Sequence, residues 1–286
     1  MLLIKNGTVN TITKGIQKIG ILIKDKKIVA MGEKLNSLST EFVLDGEVIG
    51  REDDYEELNK ELRANGEFDF DPNTDTLEII DAQGQFIYPG FIDAHTHLGL
   101  WEDGMGVEGA DGNEETDPIT PHLNVIDGIN PMDRTFKEAY EGGITAVCTT
   151  PGSANVMGGQ AAAIKTFGRR IDKMIIKNPV ASKVAFGENP KSCYGSNDDT
   201  PQTRMAIAAL LRENLRKAEE YLFDLKSAEE DEDIDKPEFD IKLESLIPVL
   251  KKEIPLKAHA HRADDMFTAI RIAQEFDLKL TDRKSV

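Results

Sequence analysis

The stretch from Phe86 to Leu98, FIYPGFIDAHTHL, decides how the rest of the chain is read. It opens as an apolar strand, turns at Pro89-Gly90 and resumes as Phe91-Ile92-Asp93-Ala94-His95-Thr96-His97. Side chains of a strand alternate between its faces, so His95 and His97 project the same way, with Asp93 behind them. Neutral imidazole nitrogen is a good ligand for borderline divalent ions such as zinc, and two imidazoles at this spacing can hold one cation. A bare His-x-His is a weak signal. Here a second pair, His259 and His261, ends another predicted strand, and four of the five histidines of the chain fall in these two pairs. Two satisfied structural pairs are the alternative reading, and the concentration favours a metal site.

The chain has 286 residues, enough to bury a large core as one αβ barrel or as two smaller domains. With 40% hydrophobic and 30% charged residues it has the composition of an ordinary globular protein. The start, MLLIKNGTVN, holds no apolar run long enough for a signal peptide or a membrane span, so a cytoplasmic protein is expected. Of the net charge of -18, -13 sits in two segments, Asp45 to Glu57 and Asp224 to Asp240. Such runs are usually solvated loops or helix faces. The acidity argues against nucleic acid as a partner and says little about substrate. Without a long apolar run no membrane partner is expected, and a small-molecule substrate and a homo-oligomer are the partners to consider. Cys148 and Cys193 form no CxxC and no disulfide framework, which fits a reducing compartment. Cys148 reads as a core residue, and Cys193 has no histidine near it in sequence that would activate a thiol.

Taken in order, Leu2 to Lys5, Ile19 to Lys24 and Ile28 to Gly32 read as short strands, the last two joined by a turn at Asp25-Lys26-Lys27. Residues 34–76 read as an insertion with an acidic helix from Asp53 to Ala64, and Leu77 to Asp81 restores a strand. The glycine-rich segment from Gly99 to Pro131 has no periodicity, and its place just beyond the histidines favours a wall over the site. His122 within it is either a substrate contact or an exposed loop histidine. Asp133 is placed to cap a helix that runs to Glu141 and stops at Gly142-Gly143. Strands follow at Ile144 to Thr150, Gln160 to Phe167 and Lys183 to Phe186. A long helix spans Pro201 to Leu225 with a core stripe of Met205, Ala208, Leu211, Leu215, Ala218 and Leu222. A linker to Asp240, a helix from Ile241 to Lys252, the strand Pro255 to His261, a helix from Asp264 to Phe276 and a strand from Leu278 to Thr281 complete the chain. Alternating strands and helices with polar chemistry at strand ends is the pattern of a parallel barrel.

On these residues the chain resembles the amidohydrolase superfamily, in the branch of imidazolonepropionase and related enzymes. The carrying motifs are the hairpin Ile21 to Gly32, the segment Ile87 to His97, the strand entry Gly142-Gly143-Ile144-Thr145 and Lys257-Ala258-His259-Ala260-His261. The resemblance covers most of residues 1–32 and 77–281. It implies an α/β fold: a TIM-like (β/α)8 metal-dependent hydrolase barrel, incomplete here, with a small N-terminal β domain. Residues 1–84 would form the small domain, with the acidic insertion 34–76, and residues 85–286 a partial barrel of strands one to five and the start of a sixth. By position, His95 and His97 match the first-strand metal ligands and His259 the fifth-strand ligand. His261 is the alternative ligand or a neighbour on the substrate side. Glu188 stands where a carboxylate bridge between two metals would come from, a helix or loop cap being the other reading, and Lys191 is a weaker candidate for a bridging carbamate.

The implied cofactor is a divalent metal, zinc first, as one or two ions. The implied reaction is hydrolysis of a C–N bond in a cyclic amide or related non-peptide amide, by metal-activated water on a carbonyl. The family also supplies a sixth-strand histidine and an eighth-strand aspartate as general base, and no residue here matches either, so no catalytic residue is assigned. The polar run Asp282 to Val286 where a buried strand should continue points to a truncated form, inactive or poorly folded alone. A non-catalytic fragment and a metal-binding interaction module on the same scaffold are the alternatives.

Overall fold

The computed structural model describes residues 1–37, 78–196 and 199–284. The acidic helix and nearly all of the insertion lie outside the described residues. The chain divides into two compact units, Met1–Pro89 and Gly90–Val286.

In the first unit, β1 (Leu2–Asn10), β2 (Ile16–Lys24), β3 (Lys27–Gly32) and β4 (Glu78–Asp81) lie in the order β3-β2-β1-β4, and β5 (Phe86–Ile87) also pairs with β1. The hairpin is as expected, and its turn is tighter. Asp25 and Lys26 take φ of 48° and 64°, the positive angles of a two-residue turn whose twist matches its strands. Val9, Ile19 and Ile21 bury against Ile4, Ile23, Met31 and Ile87.

The second unit carries a six-stranded sheet of β6 (Phe91–Thr96), β7 (Ile144–Thr149), β8 (Met157–Lys165), β9 (Ile175–Ala185), β10 (Leu256–Ala260) and β11 (Leu280–Lys284), in the order β11-β10-β9-β8-β7-β6. The expectation of an all-parallel barrel is corrected here. β8 runs antiparallel to both β7 and β9, and among the described residues the sheet is open, with β6 and β11 at its edges. The links from Thr149 to Met157 and from Lys165 to Ile175 are too short for the crossover helix that parallel neighbours need, so each must reverse the chain. The pairs β6·β7, β9·β10 and β10·β11 are parallel. β11 runs through the polar residues Asp282 to Lys284, in register with Ala258 to Ala260.

The helices are α1 (Arg134–Glu141), α2 (Glu188–Gly195), α3 (Arg204–Glu230), α4 (Ile241–Glu244), α5 (Ile247–Leu250) and α6 (Ala263–Glu275). Asp133 caps α1 as read, accepting from the Thr135 amide at 3.2 Å. The helix expected over Ile241 to Lys252 is instead two short ones. Pro248 has no amide proton to donate back to the Glu244 carbonyl, so the run breaks after Glu244 and restarts at Ile247 with the proline in the first turn.

The stripe of α3 is also redrawn. Ile207, Ala208, Leu211, Leu215, Ala218 and Tyr221 are buried, whereas Met205, expected in the core, is 79% exposed in the first turn. This face packs with Val184, Phe186, Leu246, Leu256 and Ile272 in the main core. Leu215→Ala is expected to cost about 2–5 kcal/mol, as for other fully buried leucines, and Met205→Ala less than about 0.5 kcal/mol, both read from urea unfolding.

Candidate functional site

The two reversals around β8 leave β6, β7, β9 and β10 running the same way, so the chain leaves all four at one end of the sheet. The first histidine pair lies at the end of β6 and the second at the end of β10, while Glu188 follows the end of β9. Alternation puts His95 and His97 on the face of Asp93, and His259 and His261 on the face of Lys257. Asp93, Lys183 and Lys257 all act electrostatically on Cys148.

Within each pair the rings meet edge to face. His95 and His97 have centroids 5.3 Å apart at 85°, and His259 and His261 have centroids 4.6 Å apart at 60°. His97 Nδ1 lies 2.8 Å from the Thr150 carbonyl, which can only accept, so Nδ1 carries the proton of this contact. Trp101 stands edge-on to His97 at 5.1 Å. His261 Nδ1 lies 2.9 Å from Glu188 Oε1. Glu188 opens α2, where a carboxylate meets the positive end of the helix, and Lys191 lies one turn along. The structure therefore shows Glu188 orienting an imidazole. Among the described residues, no three His, Cys, Asp or Glu side chains are spaced to hold a metal ion. The donors stand as two pairs, with β7, β8 and β9 between their strands in the sheet order.

Lys183, Asn155 and Tyr194 carried no assigned role in the sequence. Lys183 is completely buried within β9. Cys148, expected in the core, is half-buried, and burial pushes its thiol up, with Lys257 opposing and Asp93 adding to the shift. Burial also pushes up Cys193, helped by Glu115, so neither thiol is activated as a nucleophile.

The segment from Gly99 to Pro131 is packed. Leu100, Val125 and Ile129 are buried with Phe136, Val147 and Ile164. Asn155 Nδ2 donates to the carbonyl oxygens of Glu114 and Asp117 at 2.5 and 2.8 Å, and the Tyr194 hydroxyl donates to the same two at 3.0 Å. Burial pushes the Tyr194 phenol far up, so it stays a donor. His122 lines a cavity of about 250 Å³ with Asp111, Glu114, Leu123, Pro151 and Gly158. Its Nδ1 is buried without a hydrogen-bond partner among the described residues. Burial pushes this imidazole below its ordinary value, and the charge of Lys242 pushes it further.

Of the signals for these residues, the sequence offered two: a lysine inside an apolar strand, and the one tryptophan of the chain. No helix among the described residues is long and apolar enough to cross a membrane.

No family model matches the chain. It is similar to amidohydrolase tasK of Hapsidospora irregularis, with 29% identity over 227 residues, covering 71% of this chain and 22% of that protein. It is also similar to the crystal structure of an amidohydrolase from Thermotoga maritima MSB8, at 39% identity and a TM-score of 0.79, covering 99% of this chain and 64% of that one. The chain thus spans less than two thirds of the length of either.

The state of His122 has a measurable consequence. Its folded pKa lies below the unfolded value near 6.5, so the unfolded chain binds more protons in between. The stability this confers is complete above pH 6.5 and is lost as pH falls from there toward the folded pKa. In His122→Gln, melting temperature should therefore drop less between pH 7.5 and 5.5 than in the parent, as read by scanning calorimetry.

Proposed function

We propose that the chain, which is similar to amidohydrolases, takes part in hydrolysis of a C–N bond in a small cyclic amide, as in the imidazolonepropionase-related branch. A divalent ion, zinc first, is held in this reading by His95, His97 and His259, with Glu188 and His261 beside it. The TIM-like barrel is the scaffold this reading assumes. The observation that carries it is the orientation of His97. Metal-bound histidine characteristically gives its second ring N–H to a carbonyl or carboxylate, and His97 gives Nδ1–H to Thr150. The His261–Glu188 pair repeats that arrangement with a carboxylate.

The donor chemistry fits a borderline ion; the spacing among the described residues supplies pairs rather than a set of three. When bound, such an ion lowers the pKa of water and polarises a carbonyl. The chain's own residues prepare the place. Thr150 holds His97 in one tautomer, Trp101 covers an edge of that ring, and Glu188 holds the proton on His261 Nδ1. The packed segment around His122 walls a small cavity beside Pro151, and the His122 ring, whose Nδ1 is buried, lines it. A small molecule fits this cavity, and the acidic chain repels nucleic acid.

Zinc binding by competition with a chromophoric chelator, and turnover of a panel of hydantoins, imidazolones and lactams, test the proposal. Stoichiometric zinc and chelator-sensitive hydrolysis are expected. Glu188→Gln should weaken zinc binding roughly 10–100-fold as an orienting partner, and His97→Ala by more than that. A chain that binds no zinc overturns the metal reading. Stoichiometric zinc without turnover of any amide would favour the interaction module.

A further inference from the structure

We propose that Arg204 and Asp265 form a positioning clamp that sets the Glu188–His261 pair by filling the bare face of Gly187. The clamp deepens the reading above and rests on it for its link to a metal.

Gly187 is the elbow where β9 gives way to α2, with φ 81° and ψ -132°, a backbone region that residues with a Cβ rarely adopt. A Cβ built there would fall on Asp265 Oδ2 and lie 3.0 Å from its Cγ. The carboxylate thus occupies the space a side chain would take. Asp265 lies in the first turn of α6 and is 3% exposed. Arg204, the first residue of α3, grips it with two prongs, Nε to Oδ1 at 2.8 Å and Nη2 to Oδ2 at 3.2 Å. Such a fork fixes the plane of the carboxylate as well as its distance.

Both ends of the Glu188–His261 contact are attached to this point. Glu188 is the next residue after Gly187, and His261 precedes Asp265 by four residues at the entry to α6. The ladder between the two strands ends just before, where the Phe186 amide donates to the His259 carbonyl at 2.9 Å. Beyond that bond, the fork holds the β9 elbow against the start of α6. Glu188 is close enough to act on the charge of Arg204, which places all four groups in one neighbourhood. The Glu188 side chain itself is 66% exposed, and solvent does little to hold it in place. A one-residue shift of this elbow would carry Glu188 off His261.

The test uses the metal-free full chain labelled with ¹⁵N-histidine, at one fixed pH. With five histidines, the ring resonances of His261 are assignable by substitution. Glu188→Gln sets the reference displacement for a broken contact. Arg204→Lys keeps the charge and loses the fork, and Asp265→Asn keeps the shape and loses the charge. Both should move the His261 ring nitrogens as Glu188→Gln does, and in the Glu188→Gln background neither should move them further. Unmoved His261 resonances in a folded Arg204→Lys chain overturn the clamp. So does global unfolding of both variants, which would make the pair a general stabiliser. A zinc titration separates the two claims. If the parent binds zinc, Arg204→Lys should weaken it about 10–100-fold. If the parent binds none, the metal reading falls while the resonances still decide the clamp.

Discussion

An even number of chain reversals lies between β7 and β9, and the placement of both histidine pairs and Glu188 at one end of the sheet depends on it. One reversal would send the end of β9 to the far side of the sheet and separate Glu188 from the histidines of β6. Two restore the direction, so β6, β7, β9 and β10 end together. The short links around β8 thereby do what crossover helices do in an all-parallel sheet. They also bring Asn124 beside Gln160 and Ile119 beside Met157, joining the loop wall to the strand by backbone bridges.

Around those strand ends the side chains are held through their second atoms. His97 is set by a backbone carbonyl, His261 by a carboxylate, and the elbow behind that carboxylate by an arginine fork. Two of these supports are deeply embedded, Thr150 being fully buried and Asp265 3% exposed. Asp265 is buried while Glu188 is largely exposed, which is the order needed for a surface carboxylate to keep one position.

Much of this was legible in the residues alone, and what was not has physical reasons. The hairpin, the Asp133 cap and the strand before His95 follow from local chemistry, because turns, caps and alternation act within a few residues. The placement of both histidine pairs at strand ends was readable for the same reason. Strand direction was not, since apolar runs at Gln160 and Lys183 look alike whichever way they run, and only the length of the link decides. Met205 has the right spacing for the core, yet it sits in the first turn of α3 on a side no element covers. The pairing of Glu188 with His261 spans 73 residues and that of Arg204 with Asp265 spans 61, distances over which no periodicity carries information.

Asn155 and Tyr194 sew the middle of the loop wall to the link between β7 and β8 and to α2 through the carbonyls of Glu114 and Asp117, and Lys242 anchors Asp117 again at 2.6 Å. A flap needs free travel between two hinges, and a segment stitched at its centre has none. Under the proposed function, access to the histidines would be set by fixed contour instead of by swinging, and a guest would be chosen by shape before it met any reactive group. Evolution of a new preference on this scaffold would proceed by recarving side chains along the rim, with the stitches left in place.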